Sequence, residues 1–210
     1  MSTYVLRYFP IRARAEVARL LLLANGEKFT DVMPDWPAEK DEQPLGQLPV
    51  LVETLEDGTE FVLSDSVSIE KYLAAKYDLL VKTGLRDTAR ENQLCSQIKD
   101  VIDIHYKYMF ANEDDRKAIK DQYESTAAAF VKYHEKILAE NGSNGHYFGS
   151  EITYMDISLF AFLSIIRLPG ERSMKEAPDA FVESKAPGIN KVFQNIQASS
   201  IAAPYIASLK

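Results

Sequence analysis

Apolar and polar positions follow two different rhythms along this chain. Tyr4-Val5-Leu6-Arg7-Tyr8-Phe9 is rich in β-branched and aromatic residues and predicts a strand, which Pro10 stops. Arg12 to Ala24 follows with Val17, Leu20, Leu21 and Ala24 at helical spacing, and Asn25-Gly26 supplies a C-cap. Phe29 to Met33 predicts a second strand. Between Pro34 and Gly46, three prolines (Pro34, Pro37, Pro44) lie among charges and predict a long irregular segment of the kind that tends to carry function. Pro49 to Glu53 predicts a strand, Asp57-Gly58 a turn, and Phe61 to Leu63 a partner strand. Ser64-Asp65-Ser66 then caps a helix to about Tyr77. The predicted order is β-α-β, a loop, then β-β-α.

The rhythm changes between Asp78 and Gly84, and only helical spacing follows. Thr88 to Ala111 places Leu94, Ile98, Val101, Ile102 and His105 on one stripe, and Lys117 to Glu140 predicts a second long helix. Asn141-Gly142-Ser143-Asn144-Gly145 breaks it. Thr153 to Arg167 predicts a strongly apolar helix. Pro169-Gly170 and Pro178 interrupt the chain, and Ile189 to Ala198 is the last clear helix. There is no internal repeat and no low-complexity tract. The direct reading is a small α/β domain over 1–78, a linker over 79–84, and an all-helical domain over 85–210.

Composition narrows this picture by exclusion. The 210 residues are 46% hydrophobic and 26% charged, enough to bury a core without covalent staples. No apolar run approaches the ~18 residues of a membrane span, so no membrane partner is expected. The start lacks a basic segment followed by an apolar one, so a signal peptide is not expected. A single cysteine, Cys95, excludes an internal disulfide framework and a CxxC pair; on an apolar stripe it reads as a small buried hydrophobe. A net charge of −7 argues against nucleic-acid binding, which needs clustered Lys and Arg. His105, His134 and His146 lack metal-ligand spacing, so no metal is assigned. The sequon Asn141-Gly142-Ser143 is expected to go unused, and Glu113 to Asp115 reads as a solvated helix junction. A cytoplasmic globular protein of two modest domains is expected.

Three local features can carry chemistry, and each has a plainer reading beside it. Proline at the start of a strand, in Gln47-Leu48-Pro49-Val50, is either the trans beginning of an edge strand or a cis bond that turns the Leu48 backbone outward. An outward backbone can pair with a ligand that is itself a peptide. Ser64-Asp65-Ser66 either caps its helix or combines the helix N-terminus with an acidic acceptor to hold a zwitterionic amino-acid head. Tyr8, followed by Phe9-Pro10 and by Arg12 and Arg14, is either a core tyrosine or a phenol donating to a thiolate. A free thiol of pKa ~8.5 is only about 3% ionised at pH 7, and a lowering of about two units makes it roughly three-quarters thiolate.

The order of these motifs resembles the cytosolic glutathione S-transferases, nearest the sigma and pi classes. The likeness is carried by Tyr8-Phe9-Pro10-Ile11-Arg12-Ala13-Arg14, Asp35-Trp36-Pro37 with Lys40, Gly46-Gln47-Leu48-Pro49-Val50-Leu51, Ser64-Asp65-Ser66-Val67-Ser68-Ile69 with Tyr72-Leu73, and Gly149-Ser150-Glu151-Ile152-Thr153-Tyr154-Met155-Asp156-Ile157-Ser158. It implies a thioredoxin-like N-terminal domain that binds glutathione and a helical-bundle C-terminal domain that completes a pocket for a small apolar electrophile. By that resemblance Tyr8 donates to the glutathione thiolate. Arg14, Trp36 and Lys40 surround the glycine end, Leu48 pairs with the cysteinyl backbone at a cis Pro49 with Gln47 beside it, and Asp65 and Ser66 hold the γ-glutamyl head. Thr153 and Asp156 cap a central buried helix.

Some positions depart from the family pattern. Asp65 stands where glutamine is usual, and Leu45 where an aromatic often plugs a neighbouring subunit. A homodimer is expected, with Asp100 as the candidate acid completing the partner's γ-glutamyl site. Phe9, Ile11, Tyr106, Phe110 and the C-terminal segment are expected at the electrophile. Conjugation of glutathione is the leading expectation. A glutathione-dependent isomerase of the prostaglandin type and a non-catalytic crystallin-like binder are the alternatives.

Overall fold

A computed structural model describes residues 2–168 and 178–209, so Pro169-Gly170 lies outside the described residues. The described chain forms two compact units, one of residues 2–80 with 199–209, the other of 81–168 with 178–198.

In the first unit, β1 (Thr3–Arg7) is followed by a 3-10 turn (Ala13–Ala15), α1 (Glu16–Ala24) and β2 (Phe29–Val32). A second 3-10 turn, Lys40–Glu42, interrupts the proline-rich loop before β3 (Val50–Thr54), β4 (Glu60–Ser64) and α2 (Ser66–Lys76). The sheet order is β2-β1-β3-β4, with β1 parallel to β2 and β3 antiparallel to both its neighbours. α1 supplies the crossover that parallel strands require. Four consecutive residues of β3, Val50 to Glu53, are buried, as befits a strand covered on both faces. Glu53 is the polar member of that run. Its carboxylate accepts from the Tyr4 hydroxyl at 3.3 Å and from Tyr72 and Lys76, so the buried charge is paired. Leu6, Leu20, Leu21, Leu51, Ile69 and Leu73 form the apolar core around it.

The described elements of the second unit are all helices, α3 (Leu85–Met109), α4 (Glu113–Glu140), α5 (Tyr154–Arg167) and α6 (Pro187–Gln197), with a 3-10 turn at Asp179–Phe181. α5 is its centre, with every residue from Tyr154 to Ile166 buried. A helix apolar on all sides belongs in a core. The Asp156 carboxylate fastens its start, accepting from the Thr153 N–H (2.8 Å), the Thr153 hydroxyl (3.0 Å) and the Tyr147 N–H (2.9 Å). No described helix is long and apolar enough to cross a membrane.

An α/β unit and an all-α unit are therefore the observed fold class. Three elements differ from expectation. Glu113 to Asp115 are not a junction but the first turn of α4, behind an Asn112 cap that accepts from the Asp115 N–H at 2.9 Å. Their charges suit the positive end of the helix, so the acidic run starts the helix that the apolar spacing marks only from Lys117. Arg12 does not begin α1, because Ala13 at φ 37° keeps the chain out of the α-helical region until Ala15. A seventh helix, α7 (Ala203–Ser208), has no counterpart in the predicted elements. It begins near Pro204, is too short for periodicity to reveal, and joins the first unit against α1. Cys95 is buried with its sulfur 3.7 Å from that of Met155, as a small hydrophobe would be.

Candidate active site

Strand register gathers the candidate motifs. Arg7 pairs with Val32 on one side and Val50 on the other, and Val50 pairs with Ser64. These residues form one row across all four strands at the same end of the sheet. The next residues beyond the row are Met33, Tyr8, Pro49 and Asp65. Motifs 57 positions apart in sequence, from Tyr8 to Asp65, thus stand only two strand spacings apart, roughly 10 Å. Three extended residues also span roughly 10 Å.

Tyr8 leaves β1 with its N–H still bonded to the Val32 carbonyl at 3.0 Å, and its side chain is buried. The Arg14 N–H donates to the phenolic oxygen at 3.2 Å. An oxygen that accepts from the backbone keeps its own proton to donate. Burial pushes the phenol above its ordinary pKa; the charges of Arg14 and Arg19 oppose the rise and that of Glu16 adds to it. Tyr8 is consequently a protonated donor at neutral pH, not a base. The Arg19 guanidinium lies 5.9 Å from the ring centroid and adds positive potential beside it.

Aromatic contacts tie the next element in. Phe9 packs edge-to-face on Tyr8 (centroids 5.5 Å) and on Trp36 (5.8 Å), which brings the proline-rich loop to the tip of β1. A Cβ built on Gly46 would sit 3.8 Å from Lys40 Cε, so the lysine stem lies along that glycine. Gly46 itself has φ 58°, a conformation glycine takes freely. Lys40, Arg14 and Gln47 are exposed and Trp36 half-buried.

The Leu48–Pro49 bond is cis, and so is Trp36–Pro37, which the sequence reading did not single out. Among the described residues nothing hydrogen-bonds the Leu48 N–H or carbonyl, although β3 pairs on both sides from the next-but-one residue. Asp65 has φ 80°, rare for a residue with a side chain. Its carboxylate accepts from the Ser68 N–H (2.9 Å) and hydroxyl (3.0 Å), so the plain capping reading is realised. Ser66, buried, opens the helix behind it.

Ile11 and Phe9 belong to the same unit as this cluster, both half-buried. Asp100, Tyr106 and Phe110 belong to the second unit, where Asp100 is exposed on α3 and the Tyr106 and Phe110 rings tilt together at 6.4 Å. Arg19 is the neighbour of Tyr8 that sequence reasoning missed. The signal was available in the spacing of Arg12, Glu16 and Arg19, which sets one acid three and four positions from two cations. Among the described residues no three His, Cys, Asp or Glu side chains group as metal ligands do.

The family model described as "Glutathione S-transferase, C-terminal domain" matches residues 99–208. A probable glutathione S-transferase 6 of Caenorhabditis elegans is 34% identical over 167 residues, covering 75% of this chain and 77% of the relative. Glutathione S-transferase P 1 of Xenopus laevis is 35% identical over 173 residues, covering 78% and 76%. Among solved structures, that of a major nematode C. elegans specific glutathione S-transferase superposes with a TM-score of 0.79 at 26% identity, over 100% of this chain and 98% of that one.

Proposed function

Because the chain belongs to the glutathione S-transferase family, we propose that it binds glutathione at this end of the sheet and transfers its sulfur to small apolar electrophiles. The observation that carries the reading is the shared register row, with a buried phenol at its centre whose oxygen is fixed by the Arg14 N–H.

Each part of the tripeptide has a chemical counterpart along the row. The Leu48 N–H and carbonyl pair with the cysteinyl backbone as a further strand would. Arg14 and Lys40 supply cations for the glycine carboxylate, with Trp36 and Gln47 flanking it. At the far end Ser66 and the N-terminus of α2 meet the γ-glutamyl carboxylate, and Asp65 adds charge for its ammonium while its oxygen caps the helix. Tyr8 donates to the sulfur and favours the thiolate, which then attacks the electrophilic carbon and expels its leaving group. Placing a fixed donor where negative charge sits is the protein's main contribution. Phe9 and Ile11 offer apolar surface for the electrophile. The active form is a cytoplasmic homodimer in which Asp100 reaches the γ-glutamyl head held by its partner.

Retention on immobilised glutathione, followed by conjugation of an aryl halide, tests this. Retention with turnover supports the transferase. Retention without turnover of the halide makes the chain a crystallin-like binder, and turnover of a prostaglandin endoperoxide in place of the halide makes it an isomerase. No retention removes the site.

A further inference from the structure

Glu16 is 2% exposed, yet the thiolate chemistry makes no use of it. It sits at the start of α1 and accepts one hydrogen bond from each of three side chains. Arg12 Nε donates to Oε1 at 2.7 Å, Arg19 Nη1 to Oε2 at 3.2 Å, and the Tyr205 hydroxyl to Oε1 at 2.5 Å. Arg12 Nη2 also donates to the Tyr205 oxygen, which closes a ring of Arg12, Glu16 and Tyr205. Tyr205 lies on α7, almost fully buried, and the Arg12 guanidinium lies 5.9 Å from its ring centroid.

The same arginines hold the loop that leads from Tyr8 to Arg14. Arg19 Nη1 donates to the carbonyls of Ile11 (2.9 Å) and Arg12 (3.1 Å), and the Arg19 guanidinium faces the Tyr8 ring. Ala13, at φ 37°, holds a conformation that costs a residue with a side chain about 1–2 kcal/mol and survives only when its surroundings impose it. That turn is what aims the Arg14 N–H at the Tyr8 oxygen. From these contacts we infer that Tyr205, through Glu16 and Arg12, is a positioning residue for Tyr8: α7 clamps the loop that orients the thiolate donor.

The inference rests on the reading of Tyr8 as that donor, and the test separates the two. Full-length Tyr8→Phe, Tyr205→Phe and the double variant are compared by titrating the thiol of bound glutathione in the ultraviolet and by kcat and KM for conjugation. Losing a charge-assisted bond outright is worth about two pKa units and loosening its aim about one. Tyr205→Phe therefore raises the bound thiol by about one unit, a tenfold loss of thiolate below both titrations. The loss appears in kcat, with the glutathione KM moved less than about twofold. In the Tyr8→Phe background the same substitution shifts the thiol no further, because a residue acting through another is not additive with it. An unshifted thiol in Tyr205→Phe beside a shifted one in Tyr8→Phe overturns the inference and leaves the transferase standing. Equal shifts in both backgrounds overturn it as well, since Tyr205 then acts independently. An unshifted thiol in Tyr8→Phe overturns the donor reading and this inference together. Where Tyr205→Phe fails to fold, Glu16→Gln, which keeps the side chain's shape, is read on the same scale.

Discussion

Replacing Tyr8 by phenylalanine removes one oxygen from a side chain that is 6% exposed. The ring keeps its contacts with Phe9 and Arg19, and the fold loses one bond from the Arg14 N–H, about 1 kcal/mol. The cost to the sulfur is larger. A hydrogen bond to a charged group contributes about 1.5–3 kcal/mol, or roughly one to two pKa units. At the upper figure the bound thiol titrates near ~6.5 with the phenol and ~8.5 without it, so the thiolate fraction at pH 7 falls from roughly three-quarters to about 3%. With glutathione held by the loops and the α2 terminus as proposed, linkage makes the same two-unit rise cost only about fourfold in its affinity at pH 7. Ultraviolet titration of the bound thiolate reads the first quantity and retention on immobilised glutathione the second. A Tyr8→Phe titration superimposed on the parent curve, with glutathione bound, refutes the assignment.

Two further predictions concern the helical unit. Asp156→Ala removes the acceptor of three hydrogen bonds and leaves the Tyr147 N–H buried without a partner, so it should cost about 3–5 kcal/mol. A urea midpoint showing less than about 1 kcal/mol of loss at unchanged m-value would count against that role. Burial pulls His105 down to about 4 and His134 down to about 3. Both are neutral when folded and titrate near ~6.5 when unfolded, so the stability they contribute above that pH is lost on acidification. Between ~6.5 and about 4 the loss is about 1.4 kcal/mol per pH unit for each histidine. His146 has the opposite sign: the Asp156 carboxylate, 3.8 Å from its Nδ1, raises it, so its contribution is full below ~6.5 and fades as pH rises through its folded value. Urea unfolding across pH 8 to 5 should therefore show falling stability on the acid side, and a flat profile contradicts the burial argument.

The sequence is legible where local signals are dense. The turn Asp57-Gly58, the stop at Pro10, the cap at Ser64-Asp65-Ser66 and the pair Thr153 and Asp156 each mark a boundary that the chain keeps. What it hides are long-range pairings. Nothing in spacing announces that Tyr205 meets Glu16, 189 residues away, or that the acidic run at Glu113 to Asp115 opens a helix. The short α7 lacks the two turns that a hydrophobic period needs to show itself. The Asp65 carboxylate illustrates a different difficulty. Its spacing suits both a cap and an ammonium acceptor, and the atoms found capping do not remove the second use, because the same carboxylate carries a charge that one N–H does not cancel.

The embrace of α1 by residues 199–209 makes the amino-terminal unit discontinuous in sequence. During translation its sheet and first two helices emerge early, but their last polar partner is made 189 residues after Glu16. At ~5–20 residues per second that is a wait of roughly 10 to 40 seconds. Over that interval the Glu16 carboxylate has only Arg12 and Arg19 as partners, and the intervening helical segment has time to fold first.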